Sequence, residues 1–267
     1  MEIRGVDFSG AAEPGDDIWI AEGAWNGDLL TVRRCRSATE AFGVTERTAV
    51  LNRLRTSLET APGTTGLDFS FGLPDALLPD CETWCETIEW FEATFAAASA
   101  DEMREELKRK ARVSDADGVE LKRRTDDAVG ANSPYSFITY YQTLYGIREV
   151  VAPLVADGRV AVPPMQPAGE RNLVEIYPAG TLRRLGTVDE TYKDGAADAR
   201  QRRETILNAL VESTPLELAD GIRARAVDET GGDALDSIVA AVATARAVRR
   251  GFDPDGGYGE REGCIFV

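Results

Sequence analysis

The chain has 267 residues, 46 of them acidic and 30 basic, for a formal charge of −16, and it contains no histidine. That absence excludes a Ser-His-Asp triad, a Cys-His pair and histidine-ligated zinc. Any catalysis must rest on carboxylates, arginine, lysine, hydroxyls, thiols or a metal held by oxygen.

Residues 2–8 form a short apolar run that closes on Asp7, and they predict a first strand. Residues 18–24 and 29–34 predict two more strands, joined by the turn Trp25-Asn26-Gly27-Asp28, so the three make an antiparallel meander. In 45–60, Val50, Leu51, Leu54 and Leu58 fall at helical spacing before Pro62-Gly63. Residues 66–69 predict a fourth strand, parallel to the first because a helix intervenes. Residues 82–112 read as helical, from an aromatic start to a charged end, and 113–133 as polar and irregular. Ser133-Pro134 suits a helix cap and first position. The stripe that follows (Phe137, Ile138, Tyr141, Leu144, Tyr145, Ile147) is expected to pack in the core. Residues 173–178 predict a fifth strand, in which Glu175 needs a partner or a cation. Helices are expected over 198–212 and from Asp233 to Arg250. The tail 251–259 reads as a plain loop; its Asp253 and Asp255 only loosely resemble a calcium loop.

The residues Gly5-Val6-Asp7-Phe8-Ser9 return as Gly66-Leu67-Asp68-Phe69-Ser70. Two such strands side by side bring Asp7 and Asp68 together, and like charges that close call for a cation or a shared proton. Asp233 and Asp236, three apart, share a helix face. Ala240, Ala243 or Thr244, and Ala247 continue that face and would let the helix lie close to a sheet. Asp233 also suits a helix cap, with Asp236 favouring the positive helix end. Carboxylates from separate elements are the expected ligands of Mg²⁺ or Mn²⁺, and two such ions about 3.5–4 Å apart would clamp a phosphate. Lys122, Arg123 and Arg124 are the candidate phosphate contacts, since arginine forks suit phosphate. Cys35, Cys81, Cys85 and Cys264 are expected as small buried thiols.

Five segments, in order, resemble the family called domain of unknown function 429: Gly5 to Ala11, the strand ending at Asp68, Glu175-Ile176-Tyr177-Pro178, Asp233-Ala234-Leu235-Asp236-Ser237, and Glu262-Gly263-Cys264-Ile265-Phe266. The resemblance spans nearly the whole chain. It implies a ribonuclease-H-like fold and a nuclease activity. The layout is also similar to the Holliday-junction resolvases, where strand four carries glutamate in place of Asp68. The match implies Asp7, Asp68, Asp233 and Asp236 as metal ligands. It implies Asp7, Asp68 and Asp236 as catalytic acids, with Glu175 as a further candidate. The acidic, lysine-poor composition resembles that of proteins from salt-loving archaea.

The expected fold is α/β, a single domain over 1–267. Its sheet is mixed and five-stranded, three antiparallel strands then two parallel, with helices on both faces and a helical insertion at about 82–170. The expected activity is Mg²⁺- or Mn²⁺-dependent hydrolysis of DNA or RNA. The alternatives are an ATP-binding protein of the actin and sugar-kinase type, with the repeat as two phosphate loops, or a non-catalytic scaffold. With an acidic N-terminus that enters a strand at once and no stretch long enough to span a bilayer, the chain is expected in the cytoplasm, away from membranes.

Overall fold

The repeat sets the centre of the sheet. In the computed structural model, which describes every residue except 188–190, 194 and 255, β1 (Glu2–Asp7) is flanked on one side by an antiparallel meander, β2 (Trp19–Trp25) and β3 (Leu30–Ser37). On its other side lies β4 (Gly63–Leu67), parallel to it, with Gly5 opposite Gly66 and Val6 opposite Leu67. The Asp68 N–H donates to the Val6 carbonyl at 3.0 Å, so the pairing runs on to the aspartates. β5 (Arg171–Ile176) adds parallel to β4.

Among the described residues the mixed sheet has seven strands rather than five, in the order β6-β3-β2-β1-β4-β5-β7. β6 (Leu216–Leu218) and β7 (Ile265–Phe266) extend its two edges. Strands of three and two residues carry no readable alternation; their neighbours define them. Asp255, part of the calcium-loop resemblance, lies outside the described residues.

Side chains alternate across the strands, so the sheet has two apolar faces. One buries Val6, Ile20 and Leu67 under α1 (Ala38–Phe42), α2 (Arg47–Thr60), α3 (Trp84–Phe95), α4 (Ala100–Val113), α6 (Tyr140–Gly146) and α7 (Ala152–Ala156). α5 (Arg124–Val129) lies between α4 and α6 in the chain. The other face buries Ile3, Ala21 and Val32 under α8 (Pro178–Arg184), α9 (Ala197–Ser213), α10 (Ile222–Asp228) and α11 (Asp233–Arg249). The helices between Trp84 and Ala156 thus share one core with the sheet.

The segment 82–112 is helical as expected, and it divides into two helices, because Ser99 and Glu102 form a capping box that starts α4 anew. One helical expectation is corrected. The helix expected after Ser133-Pro134 begins only at Tyr140. The Thr139 hydroxyl donates to the Ser133 carbonyl at 2.6 Å and the Thr143 hydroxyl to the Pro134 carbonyl, turning the chain before the helix starts. Phe137 and Ile138, expected in the core, are consequently exposed, and Tyr141, inside α6, is exposed as well. All four cysteines are free thiols; Cys85 is the partly exposed one.

Both glycines of the repeat lie under α11. A Cβ on Gly5 would stand 2.1 Å from the Ala241 nitrogen and 2.2 Å from the Ser237 carbonyl oxygen. One on Gly66 would stand 2.1 Å from the Thr244 hydroxyl. Ala240, Ala243, Thr244 and Ala247 are buried, as their small size foretold. Gly5→Ala should therefore destabilise the protein by about 3 kcal/mol, at the upper end of overpacking costs. Gly66→Ala should cost less, because Thr244 can rotate whereas the backbone of α11 cannot. Calorimetric midpoints for the two variants check this; equal midpoints would contradict the packing.

Candidate active site

Each acid reaches one cleft by a separate route. Asp7 ends β1, Asp68 follows β4, and Asp233 and Asp236 lie on the first turn of α11. The cleft has a volume of about 320 Å³, and Asp7, Asp68, Asp233, Glu175 and Lys193 line it. Asp236 stands just behind its wall, 2% exposed. The cap of α11 is Gly232 at φ 81°, and the Glu229 carboxylate accepts from the Ala234 N–H at 3.1 Å. The capping role read for Asp233 thus falls to Glu229, and Asp233 lines the cleft together with Asp7.

Burial is the main force on these groups. It raises the Asp7 carboxyl well above its ordinary range; Lys193 opposes the rise, and Asp236, Asp233 and Asp68 add to it. Burial likewise pushes Asp68 up to about 8 and Asp233 up to about 6. Two neighbouring acids that cannot both ionise freely mark a site where positive charge is in demand.

Sequence reasoning missed the cation that meets part of this demand. The Lys193 ammonium pairs with Asp236 and lies 3.9 Å from Asp233. Burial lowers its pKa, but the charges of Asp236 and Asp7 more than offset this, so the ammonium stays protonated. Tyr192 donates to Asp236 Oδ1 at 2.7 Å. Arg203, buried on α9, donates to the Tyr192 carbonyl at 2.6 Å and the Val227 carbonyl at 2.9 Å, which fixes the segment bearing Lys193. One signal was available: Lys193 is one of only four lysines in a chain that otherwise uses arginine.

The expectation that Arg123 contacts a substrate phosphate is corrected. Its side chain is fully buried. Nε and Nη2 donate to Asp126 at 3.0 and 2.7 Å, Nη1 and Nη2 donate to Glu175, and Nη1 also reaches the Glu262 carbonyl at 3.2 Å. These bonds occupy all five guanidinium N–H donors. Glu175, named as a catalytic candidate, thereby finds the partner its burial demands. Its Oε2 also accepts from the Phe71 N–H at 2.9 Å, which ties the cleft wall together. Burial raises the Glu175 carboxyl and Arg123 draws it back. Glu262 accepts from the Asp75 and Arg124 N–H groups and ties the C-terminal segment to the same wall. Lys122 and Arg124, the other two phosphate candidates, are exposed.

Asp7, Asp68 and Asp233 therefore share a cleft, with Asp236 behind its wall and an ammonium between them. Among the described residues, no group of three carboxylates or thiols is already gathered as a ligand set for an ion. Nor is any described helix long and apolar enough to cross a membrane.

The chain belongs to the family described as proteins of unknown function, DUF429, whose model matches residues 5–253. No curated protein and no solved structure matches it.

Proposed function

We propose that this chain is a divalent-cation-dependent nuclease on a ribonuclease-H-like core. The supporting observation is the register of the repeat, which carries Asp7 and Asp68 to adjacent strand ends beside Asp233 and Asp236 of α11. The central order β3-β2-β1-β4-β5, with β2 reversed, also supports the ribonuclease-H-like reading. The donor chemistry suits Mg²⁺ or Mn²⁺, because every donor is a carboxylate oxygen. Asp7, Asp68, Asp233 and Asp236 would hold the ion, which supplies Lewis-acid stabilisation of charge on a phosphate. Lys193 must leave Asp236 for that carboxylate to serve. Arg123 is already neutralised by Asp126 and Glu175, so among the described residues lining the cleft Lys193 is the cation left to face Asp7, Asp68 and Asp233, with Asp236 behind the wall.

The repeated glycines face α11 rather than the cleft, which leaves the ATP-binding alternative without phosphate loops. The pairing of Lys193 with Asp236 favours a second reading, a scaffold whose cleft is closed by its own ammonium. Incubating the purified chain with labelled single-stranded and duplex DNA and RNA separates the two. The assay runs with Mn²⁺, Mg²⁺ or chelator, from dilute to molar KCl, since the surface is expected to suit high salt. Cation-dependent cleavage that falls to background in Asp7→Asn is the expected result. No cleavage of any substrate, together with a melting point that Mn²⁺ leaves unmoved, establishes the scaffold instead.

A further inference from the structure

We infer that an aromatic ledge at the mouth of the cleft binds the unpaired bases of single-stranded nucleic acid; this rests on the nuclease reading and names its substrate class. Phe137 and Ile138 are 74% and 73% exposed and Tyr141 37%. Apart from Met1, Val113 and Val119, these are the exposed large apolar side chains among the described residues. Solvent-facing rings grouped in one place mark a binding surface more often than chance exposure does.

The rings form a continuous series. Phe137 stacks on Tyr140 at 6.3 Å between centroids, Tyr140 meets Tyr141 at 4.6 Å, and Tyr141 lies 6.2 Å from Tyr145. The Arg47 guanidinium covers the Tyr145 ring at 3.6 Å. The ledge is also fixed to the acids. Ile138, Thr139 and Gln142 line the cleft itself. The Gln142 amide donates to the Phe8 carbonyl, one residue past Asp7. Gly10 lets the same loop press on the α6 backbone, for a Cβ there would stand 2.6 Å from the Tyr141 carbonyl carbon.

Charge around the ledge is mixed: the Tyr140 hydroxyl donates to Asp101 at 3.0 Å and Arg104, over the Phe137 and Tyr140 rings, pairs with Glu120, while other cations are left for phosphate. Arg47 donates to the Gly10 and Ala11 carbonyls at 2.8 and 3.3 Å and forms no ion pair among the described residues. Lys122 and Arg124 are exposed and likewise make none. The Leu121 N–H donates to the Tyr135 hydroxyl at 2.8 Å, which ties their segment to the ledge. On a chain of charge −16, such cations are few and phosphate attraction alone is weak. Stacking supplies the missing affinity, because every base has a π-face and aromatic side chains take any of them. A duplex offers no such faces, since its bases already stack on one another; a single strand does.

The test measures binding apart from cleavage. Asp7→Asn protein in chelator is titrated with a labelled oligothymidylate or oligouridylate, a duplex of equal length, and an abasic strand that offers phosphates without bases. The expected result is binding of the single strands at least about tenfold tighter than of the duplex or the abasic strand. Phe137→Ser combined with Tyr141→Ser should weaken single-strand binding by about tenfold or more, while Phe137→Tyr combined with Tyr141→Phe retains it. Unchanged affinity in the serine variant, equal affinity for the abasic strand, or no binding at all overturns the proposal. So does a concentration-dependent dimer that the serine changes dissolve, because a second copy then covers the ledge. Strands that bind as expected but are never cut leave the ledge standing and remove the nuclease reading. Cleavage that continues with unaltered affinity in the serine variant does the reverse.

Discussion

Arg123→Met should destabilise the fold by about 3–5 kcal/mol, the cost of removing one partner from a buried ion pair. The side chain is sealed from water, and each of its five N–H donors meets an acceptor. Burial by itself would lower the Arg123 pKa, but the charges of Asp126 and Glu175 outweigh it and hold the guanidinium firmly protonated. Methionine fills most of the volume and leaves both carboxylates buried without a counter-charge. One acid must then take up a proton or the segment must open. Arg123→Lys should rescue little, since an ammonium cannot fork to two carboxylates at once. Arg123→Met combined with Glu175→Gln should recover part of the loss, because one of the stranded charges is gone. Urea unfolding midpoints measure the series; a loss below about 1 kcal/mol for Arg123→Met would mean that water reaches the network. The cleft should suffer as well. Glu175 holds the Phe71 N–H and Glu262 holds those of Asp75 and Arg124, so the loosened wall is the one facing Asp68.

What the sequence discloses here follows the range of each signal. The Gly-x-Asp-Phe-Ser repeat is local, and its duplication carries pairing information: identical patterns on neighbouring parallel strands align Gly5 with Gly66 and bring the Phe8 and Phe69 rings to 4.5 Å. The acids of α11 are equally visible, because a spacing of three is a helical face. Glu175 shows only half of its story. Its burial in an apolar strand demands a partner, yet that partner sits 52 residues away in a basic run that reads as solvated or phosphate-binding. Nothing local distinguishes Arg123, which turns inward, from Lys122 and Arg124, which do not. Lys193 escapes for the same reason: its partner Asp236 is distant in sequence, and one lysine makes no pattern. Phe137 and Ile138 mislead, because side-chain hydroxyls turn the backbone before helical spacing can apply.

With divalent ions removed, the protein should lose stability as pH rises from about 5 to about 8. An unfolded aspartate has a pKa near 3.9. In the folded chain Asp68 is pushed up to about 8, Asp233 up to about 6, and Asp7 is raised as well, with burial the leading cause each time. Between the unfolded and folded values the native state binds more protons, so the slope of unfolding free energy against pH is negative. Lys193 and Tyr192, both raised, keep their protons across this window, and Glu175 is paired with Arg123. Asp68 and Asp233 are partly open to the cleft, so solvent screening reduces the total loss to roughly 1–3 kcal/mol. General repulsion among the many acids slopes the same way, and two comparisons separate it. Molar KCl screens the surface but leaves the buried cleft. Asp68→Asn deletes one cleft charge, so it should flatten the slope and raise the melting point at pH 8 while leaving pH 5 nearly unchanged. Lys193→Met should do the opposite and steepen the decline, since it removes the cation facing the aspartates. Mn²⁺ should restore the melting point most strongly at pH 8, where the cleft carboxylates hold the fewest protons of this range. A melting point in chelator that climbs between pH 5 and 8, or an Asp68→Asn curve parallel to the parent's, would show that these carboxylates are not forced together, and the case for a divalent-cation site would go with them.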